Sequence, residues 1–482
     1  MNESISSETY EAVIGLEVHA HLATRSKLFC GCANGFGAGP NEHTCPVCLG
    51  MPGVLPVLNR DAVELAIRMG LAAHCTIAPD SIFARKSYFY PDLPKGYQIS
   101  MYDQPLCIGG YIEIPHNGGV RPIRLVRIHM EEDAGKNIHE GDFSLVDFNR
   151  SGVPLVEVVS EPDIRTAAEA AAYLHALRAL LRYTGASEAR MEEGNFRCDV
   201  NVSVRPRGSE KFGSRTEIKN LNSIRFVEDA IGHEVARQID VIAAGGRIPQ
   251  ETLLWDPVRA ETRPMRSKEF ANDYRYFPEP DLPPLRVSAE MIEQIAAAMP
   301  VLPAQLRENL VRDYGLTAYE AGVLTEDREL ADYFTNLLAV GLKNYKAAAN
   351  WVMTEVLRLV NESGKPLAEA APAAAETGAL LKLIEDGAIS LNAAKTAFAA
   401  MVKSGKSATA TVGELGLMQV SDEAAIADAC DRVIERHIRK VGEYRAGRDK
   451  LFGFFVGSVM KEMSGKGNPR MVNDILKRKL DG

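Results

Sequence analysis

The sequence predicts an α+β protein: a large mixed α/β cradle domain, then an all-helical domain and a small helical tail domain. Three observations lead there. Period-two hydrophobic alternation recurs through roughly the first 290 residues and is interrupted by a helical stripe. Four prolines then cluster at Pro278, Pro280, Pro283 and Pro284, a candidate domain boundary. After them the chain is rich in Ala, Leu and Glu at helical spacing.

The first predicted strand is Tyr10–Leu22. Ala12, Ile14, Leu16, Val18 and Leu22 share one face and Glu17, His19 and His21 the other, the pattern of a half-buried strand. Arg124–Met130 and Val153–Val159 are further strand segments. Thr166 and Glu169 have capping-box spacing, Ala170, Tyr173, Leu174, Leu177 and Leu181 form a helical stripe, and Gly185 can end that helix. Asp199–Arg205 alternates again, with Val200, Val202 and Val204 on one side and Asp199, Asn201, Ser203 and Arg205 on the other. Farther on, Leu330, Tyr333, Phe334, Leu337 and Leu338 mark a helix, and Lys403–Thr411 reads as a short linker. No repeat of fixed period is present.

A chain of 482 residues accommodates two to four domains of about 100–200 residues each. With 46% hydrophobic and 25% charged residues it can build a sizeable core. The formal net charge of −9 argues mildly against a general nucleic-acid binder. Residues 431–482, however, hold 13 Lys and Arg against 7 Asp and Glu. A basic tail on an acidic body suits local phosphate contact; the other reading is an ordinary solvated helical surface. No stretch of 18 or more apolar residues occurs, so no membrane span is expected. The segment Met1–Tyr10 is polar, carries Glu3 and Glu8, and lacks the marks of a signal peptide or presequence. A cytoplasmic protein is expected, and its eight cysteines are not a disulfide framework.

Two motifs stand out by chemistry. Cys30-Gly-Cys32 and Cys45-Pro-Val-Cys48 are separated by 12 residues. Four thiolates in two close pairs suit tetrahedral Zn²⁺, and four protein ligands leave no open position, so the site is expected to be structural. The alternative is four unliganded thiols in one turn-rich loop. Cys75, Cys107, Cys198 and Cys430 are dispersed and read as packed residues. The second motif is acidic: Glu17 and His19 on one strand, His129-Met-Glu-Glu-Asp133 at the end of another, Glu157 within an apolar run, and Asp199 with Asn201 on a third. Strand-borne carboxylates with an imidazole can hold Mg²⁺ against phosphates. They are equally the residues of a solvated strand face, and spacing alone does not bring them together.

Arg85-Lys-Ser-Tyr-Phe-Tyr-Pro-Asp92, followed by Lys95 and Tyr97, places cations beside aromatics. Such a segment can bind phosphate and stack a base, or simply form a basic turn with packed tyrosines. There is no G-x-x-x-x-G-K-[ST] loop and no G-x-S-x-G elbow, so ATP chemistry would not use a P-loop.

A family resemblance joins these segments. Val13-Ile-Gly-Leu-Glu-Val-His19, Tyr88-Phe-Tyr-Pro-Asp92, Tyr97-Gln-Ile-Ser100, His129-Met-Glu-Glu-Asp-Ala-Gly-Lys136, Val159-Ser-Glu-Pro-Asp163, Met191-Glu-Glu-Gly194, Lys219-Asn-Leu-Asn-Ser223 and Asp273–Asp281 closely resemble the B-subunit family of tRNA-dependent amidotransferases. The resemblance continues at Phe452–Gly457 and Gly467-Asn-Pro469, and so spans essentially the whole chain. The related archaeal E subunit carries an inserted domain for which the short proline-rich connection leaves no room.

The resemblance implies domains at 1–293, 294–408 and 409–482, the first a kinase-like cradle and the last a tRNA-associated module. It implies that ATP phosphorylates the side-chain carboxylate of Glu on tRNA(Gln), or of Asp on tRNA(Asn), before ammonia displaces phosphate. Carried over by position, Glu17, His19, Glu132, Glu157 and Asp199 are the metal and phosphate candidates. Of these, His19, Glu132, Glu157 and Asp199 are the expected Mg²⁺ ligands, and Glu17 and Asp199 join Asn201, Arg85 and Tyr88 as the cofactor-binding candidates. Lys86 and Lys95 match lysines at the cradle end of the ammonia path; with His19, Glu132 and Glu157 they make up the expected catalytic set. The implied partners are an amidase-type glutaminase subunit (A) and a small subunit (C) in a heterotrimer, with the charged tRNA as substrate. A non-catalytic tRNA-binding scaffold is the rival reading.

Overall fold

Alternation in sequence becomes alternation in burial along β1 (Tyr10–His21). Ala12, Ile14, Leu16, Val18 and Ala20 are buried, while Glu17, His19 and His21 are half-buried on the opposite face. The computed structural model describes residues 9–265, 274–419, 422–463 and 466–481. The polar segment with Glu3 and Glu8, and Asp273 of the last cradle motif, lie outside the described residues.

The sheet continues in chain order with β2 (Phe83–Ser87), β3 (Tyr97–Met101), β4 (Gly119–Glu132), β5 (Pro154–Ser160), β6 (Phe196–Pro206), β7 (Thr216–Leu221), β8 (Thr252–Asp256), β9 (Glu261–Pro264) and β10 (Phe277–Pro278). Its spatial order is β9-β8-β7-β6-β1-β5-β4-β3-β2-β10, and three short strands branch beside β4. Pairing along this path is antiparallel except between β7 and β8. That parallel pair is bridged by a helix, as a parallel connection requires.

Four helices bury the apolar face: α1 (Arg60–Ala72), α2 (Ala167–Tyr183), α3 (Ile224–Ala243) and α4 (Ala289–Ala297). Ile67, Tyr173, Leu177, Ile231 and Ile295 join Ile14, Leu16 and Val18 in one core. An antiparallel sheet can keep its other face polar, and that face carries the acidic residues. Helix α2 starts where expected. Thr166 accepts from Glu169 N–H, but Glu169 reaches Arg165 N–H and Arg121 rather than closing a reciprocal box.

The proline-rich segment does not separate units. Phe277–Pro278 pairs with β2, Leu285–Arg286 pairs with Asp80–Ser81, and the first compact unit runs to Pro303. The second unit, from Ala304, is helical among its described residues and holds two buried clusters. One includes Leu330, Phe334, Leu337, Trp351, Phe398 and Val412; the other includes Ile426, Val433, Phe455, Ile475 and Leu480. The expected helical stripe lies on Arg328–Leu338. The expected linker is shorter than Lys403–Thr411. Gly405, left-handed at φ 66°, ends one helix at Ser404, and Ser407 caps the next, Ala408–Glu414. Among the described residues no helix is long and apolar enough to cross a membrane.

Candidate functional site

The register of β1, β5 and β4 sets His19 opposite Glu157, and Glu157 opposite His129. Glu131 lies two residues beyond His129 and so returns to the same face. His19 Nε2 stands 3.3 Å from Glu157 Oε2 and 3.4 Å from Glu131 Oε1. His129 Nε2 stands 3.5 Å from Glu157 Oε2. Burial opposes charge on His19, but hydrogen bonds to Glu131 and Glu157 outweigh it and push its pKa up to about 10. Glu131 and Glu157 are held low against their own burial, Glu131 mainly by His19, Glu157 by His129 and His19. Burial moves His129 below its ordinary value. One imidazole nitrogen and two carboxylate oxygens lie within 4.8 Å of one another, a donor set able to hold a metal ion.

Glu132 does not join this set. Strand alternation turns it to the helix-covered side, where it pairs with the Lys95 ammonium and accepts from Ile99 N–H at 2.9 Å. Asp199 also stands apart. It faces Glu17 across β1 and β6, one pleat from His19, and takes the Lys219 ammonium at 2.6 Å. Asn201 reaches Glu17 only at 3.5 Å. Burial first, then Glu157, Glu217 and Asp199, raise the pKa of Glu17. Lys86 lies on the acidic side: its charge helps hold Glu157 low, and its ammonium sits 4.9 Å from the Tyr274 ring centre. Arg85, the preceding residue, grips Glu279 through two 2.7 Å bonds, contacts Asp281, and stacks over Tyr97. Tyr88 packs edge-on against Tyr274.

The four motif cysteines do come together, with sulfurs at metal-binding distance. Cys45 and Cys48 sulfurs are 3.9 Å apart. The Cys48 thiol is pushed down to about 4, first by hydrogen bonding from Cys30, with help from Cys45 N–H and the Lys27 ammonium against burial. Cys30, the donor of that pair, is pushed up. Burial raises Cys75, Cys107 and Cys198, as expected of packed thiols. Between the cysteine loop and the Lys95–Glu132 pair lies a cavity of about 120 Å³, lined in part by Phe29, Met51 and Gly152.

Residues 12–293 match the family described as the GatB/GatE catalytic domain, and residues 332–480 match the one described as the GatB domain. The chain is 54% identical over 473 residues to the B subunit of the aspartyl/glutamyl-tRNA(Asn/Gln) amidotransferase of Myxococcus xanthus, covering 98% of each chain. It is 55% identical to the same-named subunits of Thermodesulfovibrio yellowstonii, over 97% of this chain and 98% of that one, and Geobacter sulfurreducens, over 98% and 100%. The chain belongs to the GatB/GatE family.

In this GatB/GatE member, motif reading missed residues that alternation and pairing supply. Glu131 is the plainest: counting two from His129 selects it over Glu132. His129 itself completes the row of imidazoles and carboxylates. A neighbouring cluster joins Asp133 to His21 at 2.6 Å, Arg197 at 2.8 Å and Arg150 at 3.5 Å. Burial opposes its charge, yet these partners hold Asp133 well below the carboxylate range. Tyr276 is stacked on Tyr102 with ring centres 4.0 Å apart; burial raises its pKa first, and the charges of Glu131 and Glu157 add to it. Its strand-poor setting gave no periodic signal.

Proposed function

We propose that this chain activates a mischarged aminoacyl-tRNA. With ATP it phosphorylates the side-chain carboxylate of Glu on tRNA(Gln), or of Asp on tRNA(Asn), and ammonia then displaces phosphate to leave the amide. The observation that carries this reading is the His19–Glu131–Glu157 cluster on the polar face of the sheet. His19, Glu131 and Glu157 would hold Mg²⁺, with Glu131 in the place first expected of Glu132. When bound, the ion neutralises charge on the transferring phosphoryl group. Lys86 supplies a fixed positive charge beside Glu157, suited to phosphate oxygens. Glu17 and Asp199, with Asn201, bound the same face and orient what lies there. The attacking oxygen belongs to the substrate carboxylate, so no protein nucleophile is required.

Ammonia comes from an amidase-type glutaminase subunit, and a small third subunit completes a cytoplasmic heterotrimer. Lys95 and Glu132, beside the cavity on the covered side, belong to the approach of ammonia. Cys30, Cys32, Cys45 and Cys48 bind one structural Zn²⁺, because four sulfurs fill a tetrahedron and leave no position for substrate. The basic C-terminal tail contacts tRNA phosphates. Co-expression with both partner subunits, followed by phosphate-release and amidation assays on Glu-tRNA(Gln) and Asp-tRNA(Asn), tests the reading. Glu-tRNA-dependent ATP consumption that vanishes in Glu131→Gln supports it. Consumption unaffected by changes at His19, Glu131 and Glu157 leaves the chain as a tRNA-binding scaffold.

A further inference from the structure

Lys27 follows the end of β1 and is fully buried, with a relative exposure of 0%. Its ammonium has three donors and three acceptors: His43 O at 2.7 Å, Phe148 O at 3.2 Å and Cys48 Sγ at 3.7 Å. Hydrogen bonds to two carbonyls satisfy two of its three protons but do not cancel its charge. A buried ammonium without a counter-charge is costly. Among the described residues no carboxylate pairs with Lys27, so the acceptor able to carry opposite charge is the Cys48 sulfur.

The same deficit exists on the other side with the sign reversed. Four thiolates around a divalent ion leave a net charge of minus two in a partly buried loop. One ammonium at hydrogen-bonding distance offsets half of it. The surroundings make the contact specific. Leu28 N–H donates to Gly152 O at 2.9 Å, and Ser151 Oγ donates to Cys48 O at 3.2 Å, fastening the 148–152 turn across the cysteine loop. Gly152 has φ 82°, and a Cβ there would lie 3.4 Å from Cys48 Cβ, 3.6 Å from Lys27 Cδ and 3.8 Å from Glu132 Oε2. A Cβ would therefore sit in ordinary van der Waals contact with all three side chains. The turn at Gly152 thus lies directly against the lysine stem, the cysteine and the carboxylate, and it is the left-handed φ that favours glycine there.

We propose that Lys27 is a positioning residue of the tetrathiolate site, donating a charge-assisted hydrogen bond to the Cys48 sulfur and balancing part of the charge of the metal-bound cluster. This rests on the reading of the four cysteines as a zinc site. It makes Lys27 the tie between the metal loop and the turn beside Glu132, so that loading the metal fixes the wall of the 120 Å³ cavity.

The test uses the full chain with its partner subunits, purified anaerobically. Zinc content of the wild type checks the underlying reading. Lys27→Met keeps the length of the stem and removes the charge. It is compared with wild type in zinc affinity by chelator competition and, after cobalt substitution, in the sulfur-to-cobalt charge-transfer band. A fall in zinc affinity of about ten- to a hundredfold, with the charge-transfer band displaced and tetrahedral ligand-field bands retained, supports the assignment. Lys27→Gln, which retains an N–H donor for the carbonyls, is measured in the same way if Lys27→Met does not fold. Unchanged affinity and an unmoved band in a folded variant overturn the proposal and leave Lys27 as a loop anchor. A wild type that holds no zinc overturns the zinc reading and the role of Lys27 with it.

Discussion

Glu131 and Glu132 are adjacent in sequence and engage opposite faces of one sheet: Glu131 meets His19 at 3.4 Å, and Glu132 pairs with Lys95. The motif that contains them therefore serves two places. The first, on the polar face, collects buried and half-buried carboxylates and imidazoles on strands whose register is fixed by the apolar face. The second is closed over by the cysteine loop.

Replacement of Glu132 separates these places. Glu132→Gln still accepts from Ile99 N–H but leaves the buried Lys95 ammonium without its counter-charge. The expected cost is about 3 kcal/mol of stability. Thermal denaturation of the complex should show it, while phosphate release dependent on Glu-tRNA persists and amide formation falls further than phosphate release.

Zinc analysis should return about one ion per chain, and Cys45→Ser with Cys48→Ser should remove it. The acidic face, built by β1, β4 and β5, should stay intact. Zinc retained at wild-type level in that double variant would place the ion elsewhere.

Acid stability has a defined sign at Glu234. It is buried between Thr216, Arg237 and Gln238, and although burial raises its pKa, Arg237 and its other partners outweigh burial and hold it low. An unfolded Glu titrates near about 4.3. The unfolded chain thus binds this proton first as pH falls. The contribution of Glu234 is complete above that value and is lost as pH drops through the lower native one. Glu234→Gln should flatten the acid limb of a stability-against-pH curve. An unchanged acid limb would mean that Glu234 has no altered titration.

Tail removal must spare the buried cluster around Leu330, Phe334 and Phe398, since Ala408 and Val412 belong to it. A chain ending at Gln419 should bind tRNA more weakly and with a shallower dependence on salt, by about one unit of slope for each phosphate no longer neutralised. Unchanged affinity and slope would remove the tail from tRNA binding.

Much of the cradle was legible because strands with one buried face advertise period two. Tyr10–His21 was readable nearly to its ends, and the strand Phe196–Pro206 over its middle, Asp199–Arg205. The four-cysteine cluster was legible from short spacing, since two pairs in one loop need little folding to meet. Register was not legible: nothing local says that Glu157 lies opposite both His19 and His129. Choosing Glu132 over Glu131 followed the motif where alternation from His129 pointed the other way. Arg85 finds its carboxylates 194 and 196 residues away, beyond any local pattern. Lys27, a lone lysine after a strand, shows its role only through burial.

The central claim is that His19, Glu131 and Glu157 form the phosphoryl-transfer site. The most direct measurement is phosphate release dependent on Glu-tRNA in the assembled complex, comparing wild type with Glu131→Gln. The account predicts a fall of about a hundredfold or more, with the fold, tRNA binding and basal glutamine hydrolysis by the partner subunit retained. Full phosphate release from Glu131→Gln would contradict it.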